Sequence, residues 1–146
     1  MLAGASDIVL TTEDSYFGLP EIDRGALGGG AHLSRLFPLQ AARKMMFTGK
    51  PITAKRAFEY GSIESLHKDV DSVNKAALEI AADIASKSPI AMKLAKKALN
   101  EIEHSNVDEH YKSEQNFTLE LYKSRDSQEA RDAFVEKRDA DFKDEN

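Results

Sequence analysis

Residues with high β-sheet propensity are concentrated in the first fifth of this chain, and almost everything after Ala31 has helical patterning. The stretch "DIVLTT" (7–12) is β-branched and apolar, which predicts a strand buried on both faces. "SYFGLPE" (15–21) predicts a second short extended segment that Pro20 ends. So few strands do not make an independently stable sheet. We therefore expect them either to pair with strands supplied from elsewhere or to form the rear part of a larger domain.

The middle of the chain predicts short helices separated by turns. "LQAARKMMFTG" (39–49) has the pattern of a helix that Gly49 stops. Thr53 is a good N-cap for a further helix, which Gly61 closes, and "SIESL" (62–66) allows a short strand. Residues 25–30 hold four of the eight glycines of the chain and lead into a helix whose apolar side chains share one face.

The second half predicts longer amphipathic helices over 71–86, 89–103 and 107–123. A last helix is predicted over 127–138, opened by Asp126 and Glu129 as a capping box. The second of these helices is expected to bury an apolar stripe made of Ala91, Leu94, Ala95, Ala98, Leu99 and Ile102. Because these faces exceed what the small β portion can cover, we expect a homo-oligomer.

Composition narrows the possible functions. The chain has 146 residues and a net charge of −5, which fits one globular unit and argues against nucleic-acid binding. It contains no Cys, and its four His form no metal-binding pair, so we expect neither a disulfide nor a metal site. No apolar run is long enough to cross a membrane, and no signal peptide is recognisable, which predicts a protein of the cytoplasm or an organelle matrix.

The sequence resembles the enoyl-CoA hydratase/isomerase (crotonase) superfamily, from about the middle of that fold to its C-terminus. The residues that carry the resemblance keep their order over nearly the whole chain: "ASDIVLTTEDSYFGLPEID", Gly25 and Gly29, "RLFP", "MMFTGKPITAKRAFEYG", "SKSPIAMKLAKKALN" and "DAFVEKRDADFK". It implies an α/β crotonase-like (ClpP/crotonase) fold, with the end of the β-spiral in 1–68 and a helical oligomerisation region in 69–146. The assembly that it implies is a trimer or a dimer of trimers.

The resemblance also implies a site. The family binds acyl-CoA thioesters, stabilises an enolate-like oxyanion with two backbone N–H groups and uses Glu as acid and base. Glu21 matches the Glu of the family's "PE" motif, and Gly29 matches a glycine whose N–H helps to hold the catalytic water. Phe134, Lys137 and Lys143 match a C-terminal region that covers coenzyme A. No cofactor is implied beyond the coenzyme A of the substrate itself.

Several positions depart from the family pattern. The first catalytic Glu falls on Met1, and both oxyanion segments would lie upstream, so we expect a truncated form that is inactive alone. Gly28 stands where hydratases often have Pro, Ala31-His32 replaces a small Gly pair, and Ser62 and Glu64 replace apolar residues. His32 either points into an acyl pocket or is a packing residue of a helix.

Each site residue also has a purely structural interpretation. An isolated Glu is usually solvated, the glycines alone indicate a tight turn, and Phe134 and Lys137 would suit an ordinary helix surface. The family register favours function for Glu21, since a carboxylate beside a glycine-lined cleft is typical of acid/base sites. We expect hydratase or isomerase chemistry on an acyl-CoA. The alternatives are a CoA-thioester ring hydrolase or decarboxylase and a non-catalytic assembly fragment.

Overall fold

A computed structural model describes residues 1–103 and 107–142 of the chain. Within these ranges the chain forms eight α-helices, four short strands and one 3₁₀ helix. In chain order they are α1 (Leu2–Ala5), β1 (Leu10–Thr12), β2 (Tyr16–Phe17), the 3₁₀ helix (Pro20–Arg24), α2 (Gly30–Leu36), α3 (Leu39–Thr48), β3 (Ile52–Thr53), α4 (Ala54–Glu59), β4 (Ser65–His67), α5 (Val70–Ala85), α6 (Pro89–Ile102), α7 (Val107–Leu121) and α8 (Arg125–Glu136).

The strands form two separate pairs. β1 runs parallel to β4, with Leu10 opposite Ser65, and β2 runs antiparallel to β3, with Phe17 opposite Ile52. The residues of β1 are half-buried, so the prediction that this segment is buried on both faces is wrong for this chain. The physical reason is the small size of the sheet: within the described residues β4 is the only strand that pairs with β1.

Most predicted helix ends are confirmed. Gly49 ends α3 in the left-handed conformation, with φ of 63°. The side chain of Thr53 accepts a hydrogen bond from the N–H of Arg56 at the start of α4, and Ser88 caps α6 in the same way. Each of these side chains satisfies an N–H group that the helix itself leaves unpaired.

The predicted start of the last helix is wrong. α8 begins at Arg125, and its N-cap is Ser124, whose Oγ accepts the N–H of Ser127 at 3.1 Å. The capping box expected at Asp126 and Glu129 does not form, because the helix is capped by Ser124 and Asp126 therefore lies inside its first turn. With this earlier start, Ser127 lies in the first turn of α8 and its side chain is fully buried.

The buried core lies between α2, α3 and α4 and the segments that precede them. It consists of Leu19, Leu33, Phe37, Ala42, Met45, Ala54, Ala57 and Ile63. All of these residues fall within 1–68, the part expected to form the spiral core. The division of the chain at residue 68 stays a prediction.

The apolar stripe of α6 is exposed, contrary to the prediction that it is buried. Leu94, Leu99 and Ile102 are 60%, 61% and 68% exposed. The helix forms as predicted, but no other described part of the chain covers this face. An oligomer interface on α6 therefore stays a prediction. None of the described helices is long and apolar enough to cross a membrane.

Candidate active site

Glu21 lies on the 3₁₀ helix, where the sequence fixes the backbone at both ends. Pro20 starts this helix and Gly25 ends it in the left-handed conformation, with φ of 65°. The carbonyl oxygen of Glu21 accepts the N–H of Ala26 at 3.0 Å. The carboxylate is half-buried, and its Oε2 atom is buried without a hydrogen-bond partner among the described residues. A buried oxygen of this kind is costly unless a ligand or a water satisfies it.

Glu21 lines an open cavity of about 700 Å³ between the 3₁₀ helix and α8. We refer to it as the Glu21 cavity, and its lining residues are Glu21, Arg24, Ala26, Tyr122, Arg131, Phe134 and Val135. Its walls are mainly aromatic and aliphatic, with three charged groups among them. Small-molecule sites commonly combine such apolar walls with a few placed polar groups.

Both arginines of the Glu21 cavity are stacked on aromatic rings. The guanidinium carbon of Arg24 lies 4.7 Å from the ring centre of Phe134, and that of Arg131 lies 5.5 Å from the ring centre of Tyr122. Cation–π contacts of this geometry hold a guanidinium plane in place without neutralising its charge. The stacking therefore leaves both positive charges available at the cavity.

One buried serine joins α8 to the 3₁₀ helix. The Oγ of Ser127 donates to the carbonyl oxygen of Gly25 at 2.5 Å and accepts from Nη1 of Arg131 at 2.6 Å. Gly25 allows this approach, since a Cβ there would lie 2.6 Å from the carbonyl oxygen of Ser127. This contact positions α8, and with it Phe134, beside Glu21.

Gly29 lies in a different place from Glu21. It is the N-cap of α2 with φ of 76°, and a Cβ there would lie 2.8 Å from Cδ1 of Leu19 and 3.4 Å from Cγ of Met1. Gly29 and Met1 line a small cavity of about 60 Å³ that does not include Glu21. The structure thus brings Gly29 to Met1, the position that the resemblance gives to the first catalytic Glu. It does not bring Gly29 and Glu21 into one cavity.

A carboxylate that sequence reasoning missed occupies the start of α2. Oε1 of Glu114, on α7, accepts the N–H of Gly30 at 2.7 Å, and its Oε2 accepts the N–H of Ala31 at 3.4 Å. Negative charge is favourable at a helix N-terminus. No local pattern predicts this contact, because Glu114 is 84 residues away in sequence.

The predicted coenzyme A residues divide into three cases. Phe134 lines the Glu21 cavity. Lys137 ends α8 in the left-handed conformation, is exposed and is not among the residues that line that cavity. Lys143 lies outside the described residues.

His32 does not line the Glu21 cavity, but it lines the small cavity that Gly29 and Met1 share, and it also packs against a ring. Its imidazole contacts Tyr111 edge to face, with ring centres 5.3 Å apart, and its Nδ1 is buried without a partner among the described residues. The ring contact fits the packing interpretation, and the position in the small cavity fits the alternative, so both stay predictions.

The two cavity arginines were also missed from sequence. Arg131 and Phe134 are three residues apart, which puts them on one face of α8. That spacing was the available signal for this pair. Within the described residues no group of His, Asp and Glu is arranged to hold a metal ion.

Comparison with known proteins identifies the family. The sequence model of the family described as "Enoyl-CoA hydratase/isomerase" matches residues 1–145. This chain belongs to the enoyl-CoA hydratase/isomerase family. The resemblance read from the sequence is therefore confirmed.

Two relatives show how far the likeness to other family members extends. The chain is 43% identical over 136 residues to the "(7aS)-7a-methyl-1,5-dioxo-2,3,5,6,7,7a-hexahydro-1H-indene-carboxyl-CoA hydrolase" of Mycobacterium tuberculosis, covering 93% of this chain and 55% of the relative. It is 33% identical over 145 residues to the 2,3-dehydroadipyl-CoA hydratase of Escherichia coli, covering 97% and 56%. This member of the enoyl-CoA hydratase/isomerase family thus spans about half the length of the curated relatives that it matches.

Solved structures confirm the fold of this family member. A carnitinyl-CoA hydratase from Mycobacterium avium superposes with a TM-score of 0.85 at 32% identity, over 97% of this chain and 56% of the other. The crotonase-like fold and its C-terminal part, predicted from the sequence, are therefore confirmed.

Proposed function

We propose that this chain supplies an acid/base carboxylate, Glu21, and one wall of the acyl site to an enzyme that adds water to an acyl-CoA thioester. The observation that carries the proposal is that Glu21 lines an apolar cavity and that its Oε2 has no hydrogen-bond partner among the described residues. A carboxylate that lines a cavity can accept a proton from a water bound there. The family and the CoA thioesters named for its relatives support the substrate class.

The first candidate reaction is hydration of an enoyl-CoA. Glu21 would take a proton from water as the water oxygen bonds to the β-carbon, and Glu21 would then give that proton to the α-carbon. The thioester oxygen carries the negative charge in between and needs N–H donors for its stabilisation. In the hydratases of the family two Glu share the proton transfers. The resemblance puts the first of these at Met1, so the proposal gives both proton transfers to Glu21.

The second candidate is hydrolysis of a ring ketone on a CoA thioester, and the 43% identical relative named as such a hydrolase favours it. One general base suffices for this reaction. Glu21 would deprotonate a water, the water oxygen would bond to the ring carbonyl carbon, and the adjacent C–C bond would break. Its electron pair would take the proton from Glu21, and a carboxylate would form.

The remaining expectations from the sequence belong to the same proposal. Phe134, Lys137 and Lys143 would contact coenzyme A, with Phe134 at the thioester end that enters the Glu21 cavity. Coenzyme A would be bound only as part of the substrate. The enzyme would be a trimer or a dimer of trimers, and it would work in the cytoplasm or an organelle matrix. The exposed stripe of α6 supports the assembly, since large unpaired apolar faces usually mark interfaces.

Isotope-labelled water tests the proposed function. The 146-residue chain, and any longer form that the gene encodes, are incubated in H₂¹⁸O with crotonyl-CoA and with a CoA thioester that carries a cyclic 1,3-diketone. We expect ¹⁸O in a hydroxyl group for hydration or in a new carboxylate for ring hydrolysis. If neither form converts either thioester, the chain is a non-catalytic assembly unit and the proposal is wrong.

A further inference from the structure

We infer that the acyl group received by the Glu21 cavity carries a carboxylate of its own, which Arg24 and Arg131 bind. This inference rests on the proposed function, because it names the substrate class of the same site. The inference is argued from the three charged groups that line the cavity and from the contacts that they make within the described residues.

The cavity has an excess of positive charge. Its lining contains one carboxylate, Glu21, and two guanidinium groups, which leaves a formal charge of +1. Neither arginine forms an ion pair with a described carboxylate. Arg24 contacts the ring of Phe134, and Arg131 donates to two neutral oxygens, Oγ of Ser127 and Oε1 of Gln128. A guanidinium group has five N–H donors, so most of those on the two side chains remain available to a ligand.

The placement of the arginines suits a carboxylate. Each guanidinium group lies over an aromatic ring, and this contact restrains its position at the cavity. A guanidinium plane held in this way can donate two parallel hydrogen bonds to one carboxylate. A ligand that brings one negative charge would cancel the excess charge of the lining.

The phosphates of coenzyme A are the other anions that an acyl-CoA brings. We assign the arginines to the acyl group because they share the cavity with Glu21, the proposed reacting carboxylate. The walls beside them are also apolar, formed by Tyr122, Phe134 and Val135. The reacting end of the thioester, rather than its nucleotide, is the part that must enter such a space.

Two saturated six-carbon thioesters test this assignment. Hexanoyl-CoA and adipoyl-CoA differ in the terminal carboxylate, have the same coenzyme A and cannot be hydrated. Their dissociation constants for the 146-residue chain are measured by titration calorimetry at low and high salt. We expect adipoyl-CoA to bind about tenfold more tightly at low salt, with the advantage shrinking as salt screens the charges.

Arginine variants identify the group responsible. Arg24→Gln should remove most of the adipoyl advantage while leaving hexanoyl-CoA binding within about twofold. Within residues 1–103 and 107–142, Arg24 contacts the ring of Phe134 and has no hydrogen bond or ion pair to lose. Arg43→Gln is the matched control, since Arg43 is exposed on α3 and not part of the cavity lining. It should change neither constant.

Each other outcome contradicts a defined part of the account. Equal binding of the two thioesters would overturn the carboxylate assignment and leave the proposed function standing. Equal weakening of both by Arg24→Gln would assign the arginine to the phosphates and overturn the inference as well. Binding of neither thioester would overturn the proposed function and the inference together.

Discussion

Substitution of Gly25 by Ala tests the contact that brings α8 to Glu21. Gly25 has φ of 65°, and an added Cβ would lie 2.6 Å from the carbonyl oxygen and 2.8 Å from Cα of Ser127. Both are backbone atoms, so α8 or the 3₁₀ helix would have to move. Gly61 offers a matched control, because its φ is 72° and a Cβ there would meet nothing within 4 Å.

The two variants share one energetic cost and differ in the other. Placing Ala in the left-handed region costs about 1–2 kcal/mol at either site. Ala also reduces the conformational entropy of the unfolded chain, which stabilises the folded state of both variants by a similar amount. This contribution cancels when the two variants are compared. Forcing extra volume into a packed contact costs about 1–3 kcal/mol, and this applies to Gly25 alone. Gly25→Ala should therefore lower the free energy of unfolding by about 1–3 kcal/mol more than Gly61→Ala.

Urea unfolding followed by far-ultraviolet circular dichroism measures this difference. The wild type and both variants are compared at one protein concentration, with equal m-values as the check on two-state behaviour. Equal losses of stability in the two variants would show that α8 does not pack on Gly25. The Glu21 cavity would then not exist in the form described.

Three further perturbations have defined outcomes. Leu94→Glu should convert the expected homo-oligomer into smaller species, because the side chain lies on the exposed stripe of α6. Multi-angle light scattering measures the change, and a well-folded wild-type monomer at micromolar concentration would contradict the interface. Met45→Ala should lower the free energy of unfolding by about 2–5 kcal/mol, because Met45 is 1% exposed; a loss under 1 kcal/mol would contradict the packing of the core. The hydroxyl and N–H of Ser72 lower the pKa of Asp69, the N-cap of α5. The ionised Asp69 therefore stabilises the folded protein above the ordinary Asp pKa, and this stabilisation is lost as the pH falls through the lowered pKa. The wild type should therefore lose more stability on acidification than Asp69→Asn, and parallel acid-unfolding curves would refute this.

Local sequence signals predicted most of the helices of this chain correctly. Gly49, Thr53 and Ser88 mark helix ends that depend on side chains or conformations within a few residues. The last helix was placed two residues late, because Ser124 and Asp126 are both acceptable caps. Tertiary packing decides between them, since the earlier start buries Ser127 against Gly25.

The candidate site was predictable only in part, because its contacts join distant parts of the chain. Pro20 and the glycines drew attention to Glu21, but the partners of this segment come from α7 and α8, about a hundred residues later. Arg131 and Glu114 carry no motif of their own, so no local pattern ties them to the 3₁₀ helix or to α2. The buried stripe predicted for α6 was wrong for a related reason, since amphipathic periodicity shows which face is apolar and not what covers it.

The role of Glu21 is the central claim, and Glu21→Gln tests it most directly. Turnover is measured on the longest form of the protein that the gene encodes, with every acyl-CoA that the parent form converts. Glu13→Gln serves as the control, because it removes the same charge from an exposed residue that does not line the cavity. General acid–base catalysis typically contributes about 10²–10⁴-fold to the rate. Glu21→Gln should therefore lower kcat by that factor with little change in acyl-CoA binding, whereas Glu13→Gln should have the same kcat as the parent form. Full turnover by Glu21→Gln on every substrate would show that Glu21 is only a turn residue.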